Sequence, residues 1–102
     1  MPDANEQKQG GTAVRSKPEP PKQDFLPQFR VLLHNDDKNP MDHVVNSLVG
    51  LARLEQMKAV GVMLEAHSTG VALVLTTHKE RAELLQEQFA SKGLVTTIEP
   101  VE

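Results

Sequence analysis

The spacing of the apolar residues changes at Pro40, and this change limits what the first half of the chain can form. Before Pro40, the segment FRVLLH places Phe29, Val31 and Leu33 at every second position, which is the period of a β-strand. After Pro40, apolar residues recur every three or four positions, which is the period of one helix face. These residues are Met41, Val44, Val45, Leu48, Leu51 and Ala52. A strand followed by an amphipathic helix is therefore predicted.

Asn39 and Pro40 predict where this first helix begins. Asparagine is a favoured N-cap, and proline is favoured at the first helical position because the helix needs no N–H there. Asp42 follows in the first turn, where the positive end of the helix favours a carboxylate. We expect the helix to run from Pro40 to about Arg53.

A second helix and a second strand follow from the next change of pattern. Helical spacing covers about Glu55 to His67, and Gly70 is placed to end that helix. The run VALVLTT, which begins at Val71, is short, branched and continuously apolar. Such a run is typical of a buried strand, so we expect a central strand here.

The last third of the chain predicts one more helix and one more strand. Thr77 and Glu80 match a capping box, which would open a helix that carries Ala82, Leu85 and Phe89 and ends at Gly93. The final segment LVTTIEPV returns to strand-forming residues. The predicted fold is α+β: a β-α-α-β-α-β sandwich in which three helices cover one face of a three-stranded sheet.

The first 27 residues differ in composition from the rest. They are rich in Pro, Gln, Lys and Glu and nearly free of apolar side chains. Such a segment cannot offset the entropy of ordering by burial, so residues 1–27 are predicted to be a disordered extension. Residues 28–102 are predicted to form the single core domain.

Composition argues against several classes of function. The net charge of -3 and the aromatic content of 3% offer neither a broad positive field nor stacking surfaces, so no nucleic-acid partner is expected. The chain has no cysteine, which removes disulfides and thiolate zinc sites. No apolar stretch is as long as that of a signal peptide or of a membrane span, so we expect a cytoplasmic protein without membrane contact.

The stretch HNDDKNPMDH, residues 34–43, concentrates the polar residues that could carry chemistry. Catalysis would need an activated nucleophile, and no triad signature surrounds any serine. A metal could recruit His34, Asp36, Asp37 and His67, although no metal-binding spacing supports it. A protonated amine could be held by Asn35, by one of the two aspartates and by His67.

If the acceptors bind an amine, an apolar pocket beside them could bind the side chain attached to it. Met63, Ala66 and His67 share one helix face because they stand at i, i+3 and i+4. If this face lies against Met41 and Val44, a small pocket with acceptors at its mouth results, and it suits a peptide N-terminus with a large apolar first side chain. Each residue also has a structural interpretation as core, turn or cap, and the residues alone favour that interpretation.

The two motifs together resemble those of the ClpS family, adaptors that deliver N-end-rule substrates to Clp ATP-dependent proteases. NDDKNPMDHVV is followed, after a two-helix interval, by VMLEAHSTG. The family pattern is NDD, two variable residues and PM, then M-x-x-x-H-x-x-G, and the likeness runs from about Phe29 to the C-terminus. It implies the same fold, no enzymatic activity, no cofactor, and two partners: the N-terminal domain of a Clp AAA+ unfoldase and N-degron proteins.

The resemblance also implies roles for individual residues. Asn35, Asp37 and His67 match those that hold the substrate's α-amino group, and Asp36 is a neighbour that adds negative potential. The apolar pocket for a Phe, Leu, Tyr or Trp first residue is implied at Met41, Val44, Met63, Ala66 and Leu94. Met41 matches the position that discriminates against β-branched first residues.

Four positions depart from the family pattern or define its docking surface. The family usually has a larger aliphatic residue where Ala66 stands, which implies a roomier pocket, and Asn39 replaces a common threonine. Protease docking is implied at Glu80, but Leu85 stands where the family has a lysine. Leu85 leaves open a second hypothesis, a ClpS-like interaction domain that serves a different client.

Overall fold

The computed structural model describes residues 26–101. Its six elements follow the predicted order. They are β1 (Gln28–His34), α1 (Met41–Ala52), α2 (Gln56–Thr69), β2 (Val71–His78), α3 (Lys79–Ser91) and β3 (Thr96–Pro100). The α+β fold class is confirmed. The predicted extension, residues 1–27, lies outside the described residues except for its last two positions.

The sheet has β1 at its centre, so the prediction of a central strand at Val71 is wrong. The strand order is β2-β1-β3, and both pairings are antiparallel. Of the predicted apolar run, Ala72 and Val74 reach the core, whereas Val71 is 38% and Leu73 is 44% exposed. Branched apolar residues favour a strand wherever it lies in a sheet, and the strand's neighbours decide its position. The run forms an edge strand whose residues alternate between the core and the exposed face.

Two predicted helix starts are also wrong, each by one residue. Helix α1 begins after Pro40, which is its N-cap, and the Asn39 side chain is instead held through its Nδ2, which donates to Asp36 and to Gly93. The expected capping box at Thr77 does not form, since Thr77 still pairs with Phe29 in the sheet. His78 caps α3 instead, and its ring nitrogen Nδ1 accepts the N–H of Arg81 at 3.4 Å.

The hydrophobic core lies between the helices and one face of the sheet, as the sandwich prediction requires. Helix α3 contacts all three strands, α2 contacts β1 and β2, and α1 lies against α2, α3 and β2. The largest fully buried side chains are Phe89, Leu33, Leu48, Leu85 and Val31. None of the helices in residues 26–101 combines the length and the apolar character needed to cross a membrane.

Helix α2 ends at Gly70 as predicted, and this end positions one side of the candidate site. Gly70 has φ 96°, a left-handed conformation that glycine adopts without steric cost. Its N–H donates to the carbonyl of Ala66, and its own carbonyl accepts the N–H of Asn35 at 3.0 Å. The last turn of α2 is thereby held next to the loop that follows β1.

Candidate functional site

The loop between β1 and α1 carries the NDD residues and is held at its start by two backbone bonds. His34 N–H donates to the carbonyl of Val95 at 3.0 Å, and Asn35 N–H donates to that of Gly70 at 3.0 Å. The second bond joins the loop to the end of α2, and His67 lies in the last turn of that helix. Residues distant in sequence are therefore brought to one place.

Asp36 is bonded to its own loop. One carboxylate oxygen accepts the N–H of Lys38 at 2.9 Å and that of Asn39 at 2.9 Å, and the side-chain amide of Asn39 donates at 3.2 Å. Partial burial by itself would raise the pKa of Asp36, but the hydrogen bonds from Asn39 and Lys38 and the Lys38 charge together lower it. Asp36 is an ionised brace of the loop.

The other predicted amine-binding side chains are exposed and uncommitted. Asn35, Asp37 and His67 are all exposed to solvent. Across residues 26–101, none of these side chains takes part in a hydrogen bond or an ion pair. An amide and a carboxylate on the loop, and an imidazole on the last turns of α2, are thus available to a ligand.

All nine residues predicted for the amine site and the pocket line one cavity of about 170 Å³. They are Asn35, Asp36, Asp37, Met41, Val44, Met63, Ala66, His67 and Leu94. Met63, Ala66 and Leu94 are buried, whereas Met41 is 48% exposed. A cavity of roughly 150 Å³ takes up a benzene molecule, so this one has room for an aromatic or large aliphatic side chain.

Comparison with known proteins decides the family. The family model "ATP-dependent Clp protease adaptor protein ClpS" matches residues 26–97. The chain belongs to the ClpS family. The Clp adapter protein ClpS of Synechococcus elongatus is 49% identical over 80 residues, 78% of this chain and 84% of that protein. The chloroplastic adapter CLPS1 of Chlamydomonas reinhardtii is 44% identical over 77 residues, 72% of this chain and 46% of that protein.

A solved ClpS structure has the same fold. Agrobacterium tumefaciens ClpS2 bound to L-phenylalaninamide matches with a TM-score of 0.65 and 27% identity, over 74% of this chain and 98% of that chain. The ClpS relatives are named as protease adaptors. The expected family and fold are confirmed.

Three further residues line the ClpS cavity that the sequence does not predict for the amine site or the pocket: Leu33, His34 and Asn39. Leu33 was interpreted as strand core, and it is 2% exposed while also forming part of the cavity wall. His34 shares a 2.8 Å hydrogen bond between its Nε2 and Thr97 Oγ1. Their position next to the NDD motif was the available signal. His43 lies outside the cavity and donates from Nε2 to the carbonyl of Lys92 at 2.8 Å.

The metal hypothesis finds no cluster to support it in the described part of the chain. Among these residues, no three His, Asp or Glu side chains stand close enough to share an ion. Asp36 is engaged by Asn39 and Lys38, as described above.

Replacing Asp36 by Asn is expected to cost stability in a pH-dependent way. An asparagine keeps one oxygen for the N–H groups of Lys38 and Asn39, but its NH₂ group faces the Nδ2 donor of Asn39 and the negative charge is lost, so we expect a loss of about 1 kcal/mol at pH 7. Because folding lowers the pKa of Asp36, its contribution is present above the unfolded value of about 3.9 and disappears as the pH falls through the folded value. Urea unfolding of Asp36→Asn and wild type at pH 7, 5 and 3 measures this. A difference undiminished at pH 3 would contradict it.

Proposed function

We propose that this ClpS-family protein is a non-enzymatic adaptor. It binds proteins through a free, bulky hydrophobic N-terminal residue and delivers them to a Clp AAA+ protease in the cytoplasm. One observation carries the proposal: a side-chain-sized cavity opens directly beside Asn35, Asp37 and His67, whose side chains have no hydrogen-bond partner within residues 26–101. The paired experiment is a titration with a Phe-initiated peptide and with its N-acetylated twin.

The mouth of the cavity suits an α-ammonium group. This group has an ordinary pKa of about 8, so it is mostly protonated at neutral pH and offers three N–H donors. The amide oxygen of Asn35, the carboxylate of Asp37 and a neutral nitrogen of His67 are three acceptors that line the same cavity. Charge-assisted bonds of this kind are the stronger hydrogen bonds in proteins. The ionised Asp36 adds negative potential from behind.

The interior of the cavity suits the first side chain. Val44, Met63, Ala66 and Leu94 give it apolar walls, and burial of a Phe or Leu side chain stabilises binding by about 1.5–3 kcal/mol. L-Phenylalaninamide, bound in the solved relative, joins a free α-amine to an aromatic side chain in the same way. Met41, half exposed in the cavity lining, would meet the second branch of a β-branched residue.

Ala66 is expected to make the pocket tolerant of the largest side chains. It is 2% exposed and lines the cavity, so Ala66→Val would add volume where a Trp side chain must fit. We expect Ala66→Val to weaken binding of a Trp-initiated peptide about tenfold, on the scale of an overpacked contact, and that of a Leu-initiated peptide much less. Ala90→Val, at an exposed position on α3, is the matched control. Equal losses for both peptides would argue against a size limit at Ala66.

Docking to the unfoldase is proposed at the exposed start of α3, where Glu80 lies. Leu85 cannot replace the family's lysine at such a surface, because its side chain is 2% exposed and belongs to the core. Glu80 therefore acts without that partner residue.

Reversing the charge at Glu80 tests this docking surface. We expect Glu80→Lys to weaken binding to the N-terminal domain of a Clp AAA+ unfoldase by about fivefold, as for an exposed ionic contact, without changing peptide affinity. Glu87→Lys makes the same charge change two turns later on the exposed surface of α3. Equal effects of the two variants would show that the interface is not centred on Glu80. Absence of both unfoldase and peptide binding would favour an interaction domain with a different client.

A further inference from the structure

We propose that Asn39 is a positioning residue for the amine site. Its side-chain amide fixes the loop that presents Asn35 and Asp37, and it does so by tying this loop to the turn between α3 and β3. The inference rests on the proposed function, since it concerns the same site.

The amide of Asn39 uses its donors on two sides. Its Nδ2 lies 3.2 Å from each carboxylate oxygen of Asp36 and 2.9 Å from the carbonyl oxygen of Gly93. An amide nitrogen carries two N–H groups, so one serves Asp36 and the other serves Gly93. The loop after β1 and the turn after α3 are joined by a single side chain.

Gly93 gives that side chain a firm support. It has φ 82°, and a Cβ at this position would lie 3.7 Å from Asn39 Oδ1 and 3.9 Å from Nδ2. The N–H groups of Gly93 and Leu94 donate to carbonyls at the end of α3, at 2.9 Å and 3.0 Å. Asn39 is thus bonded to a turn that is itself bonded to a core helix. The next residue of that turn, Leu94, is part of the cavity wall.

Asn35 and Asp37 depend on this support because their own side chains have none. Both are exposed, and in the described residues no protein group bonds to either side chain. Their positions follow from the loop backbone, which the carboxylate of Asp36 caps and Asn39 anchors. The two residues that face the substrate amine are therefore placed by the residue between them and by Asn39.

Threonine and alanine cannot make this connection. A hydroxyl has one O–H donor, so a threonine in place of Asn39 could serve Asp36 or Gly93 but not both, and alanine has no donor. The connection is a property of asparagine at this position.

The test measures Asn39→Ala, Asn39→Thr and the control Asn46→Ala, which removes an exposed amide on α1 outside the cavity. Affinity for a Phe-initiated peptide is expected to fall about tenfold in Asn39→Ala, by an intermediate factor in Asn39→Thr, and not at all in Asn46→Ala. A peptide that begins with 3-phenylpropionyl, which lacks the amine, should bind wild type and Asn39→Ala equally weakly. Wild-type affinity in Asn39→Ala, or equal loss for both peptides, would overturn the proposal.

A second readout needs no peptide. The N–H of Lys38 donates to Asp36, so its hydrogen exchange, followed by NMR, reports the order of the loop. We expect this exchange to be several times faster in Asn39→Ala, with unchanged exchange in the core of α1 and no change in Asn46→Ala. Unchanged exchange at Lys38 would overturn the inference. If wild type bound neither peptide, the proposed function would be refuted, and the exchange measurement would still test whether Asn39 orders the loop.

Discussion

A peptide that begins with Phe is expected to bind this protein about 100-fold more tightly than the same peptide with an acetylated amino group. Acetylation removes the positive charge and leaves one N–H where the ammonium has three. Two acceptors among Asn35, Asp37 and His67 then lose their partners inside the mouth of the site, at a cost of about 1–3 kcal/mol each.

Fluorescence anisotropy with a dye at the far end of the peptide measures both affinities under the same conditions. A third peptide that begins with Gly keeps the amine and removes the side chain, so it separates the amine from the apolar pocket. Equal affinities of the free and acetylated Phe peptides would refute the proposed function, whatever the Gly peptide does.

Removing the charge of Asp37 is expected to weaken binding of the Phe peptide about 30-fold, in line with a lost charge-assisted hydrogen bond. Because Asp37 is exposed and has no partner within residues 26–101, Asp37→Asn should unfold at nearly the wild-type temperature. The contrast with its neighbour is direct, since Asp36→Asn is expected to lose stability. Calorimetric titration and thermal unfolding of the two variants measure the two effects.

His67→Ala removes a second acceptor and is expected to weaken binding about tenfold. Asp37 and His67 are proposed to contact the same ammonium group, so their losses should not add in the double variant. Glu87→Gln, which neutralises an exposed carboxylate on α3, controls for net charge. Wild-type affinity for the Phe peptide in both Asp37→Asn and His67→Ala would refute the proposal that these residues bind the amine.

Local pattern predicted the elements well, because each rests on neighbours in sequence. The helix face of Met63, Ala66 and His67 is a matter of i, i+3 and i+4 spacing, and all three line the cavity. The place of β2 in the sheet depends on pairing with β1 across the helices between them, and apolar periodicity carries no such information. The same limit applies to Thr77, whose pairing with Phe29 extends the strand past the expected cap.

In the candidate site, too, features set by local sequence were predicted and those set by long-range contacts were not. The two motifs contain the predicted acceptors and four of the pocket residues, and the family resemblance adds Leu94; all of them line one cavity. Asn39 was interpreted as a helix cap, which asparagine often is. Its bond to Gly93 spans 54 positions of sequence, so no local rule could assign it. The proposed roles of the site residues themselves stay predictions until the peptide titrations are made.

The loop that carries the proposed amine acceptors Asn35 and Asp37 leaves the sheet at the end of β1, the strand with partners on both sides. A binding site on an edge strand could be lost by local fraying while the rest of a domain stayed folded. Here the strand that leads into the site is the one whose release requires the whole sheet to come apart. Fraying of the edge strands should therefore leave the proposed site in place, whereas release of β1 should remove the site and the fold together.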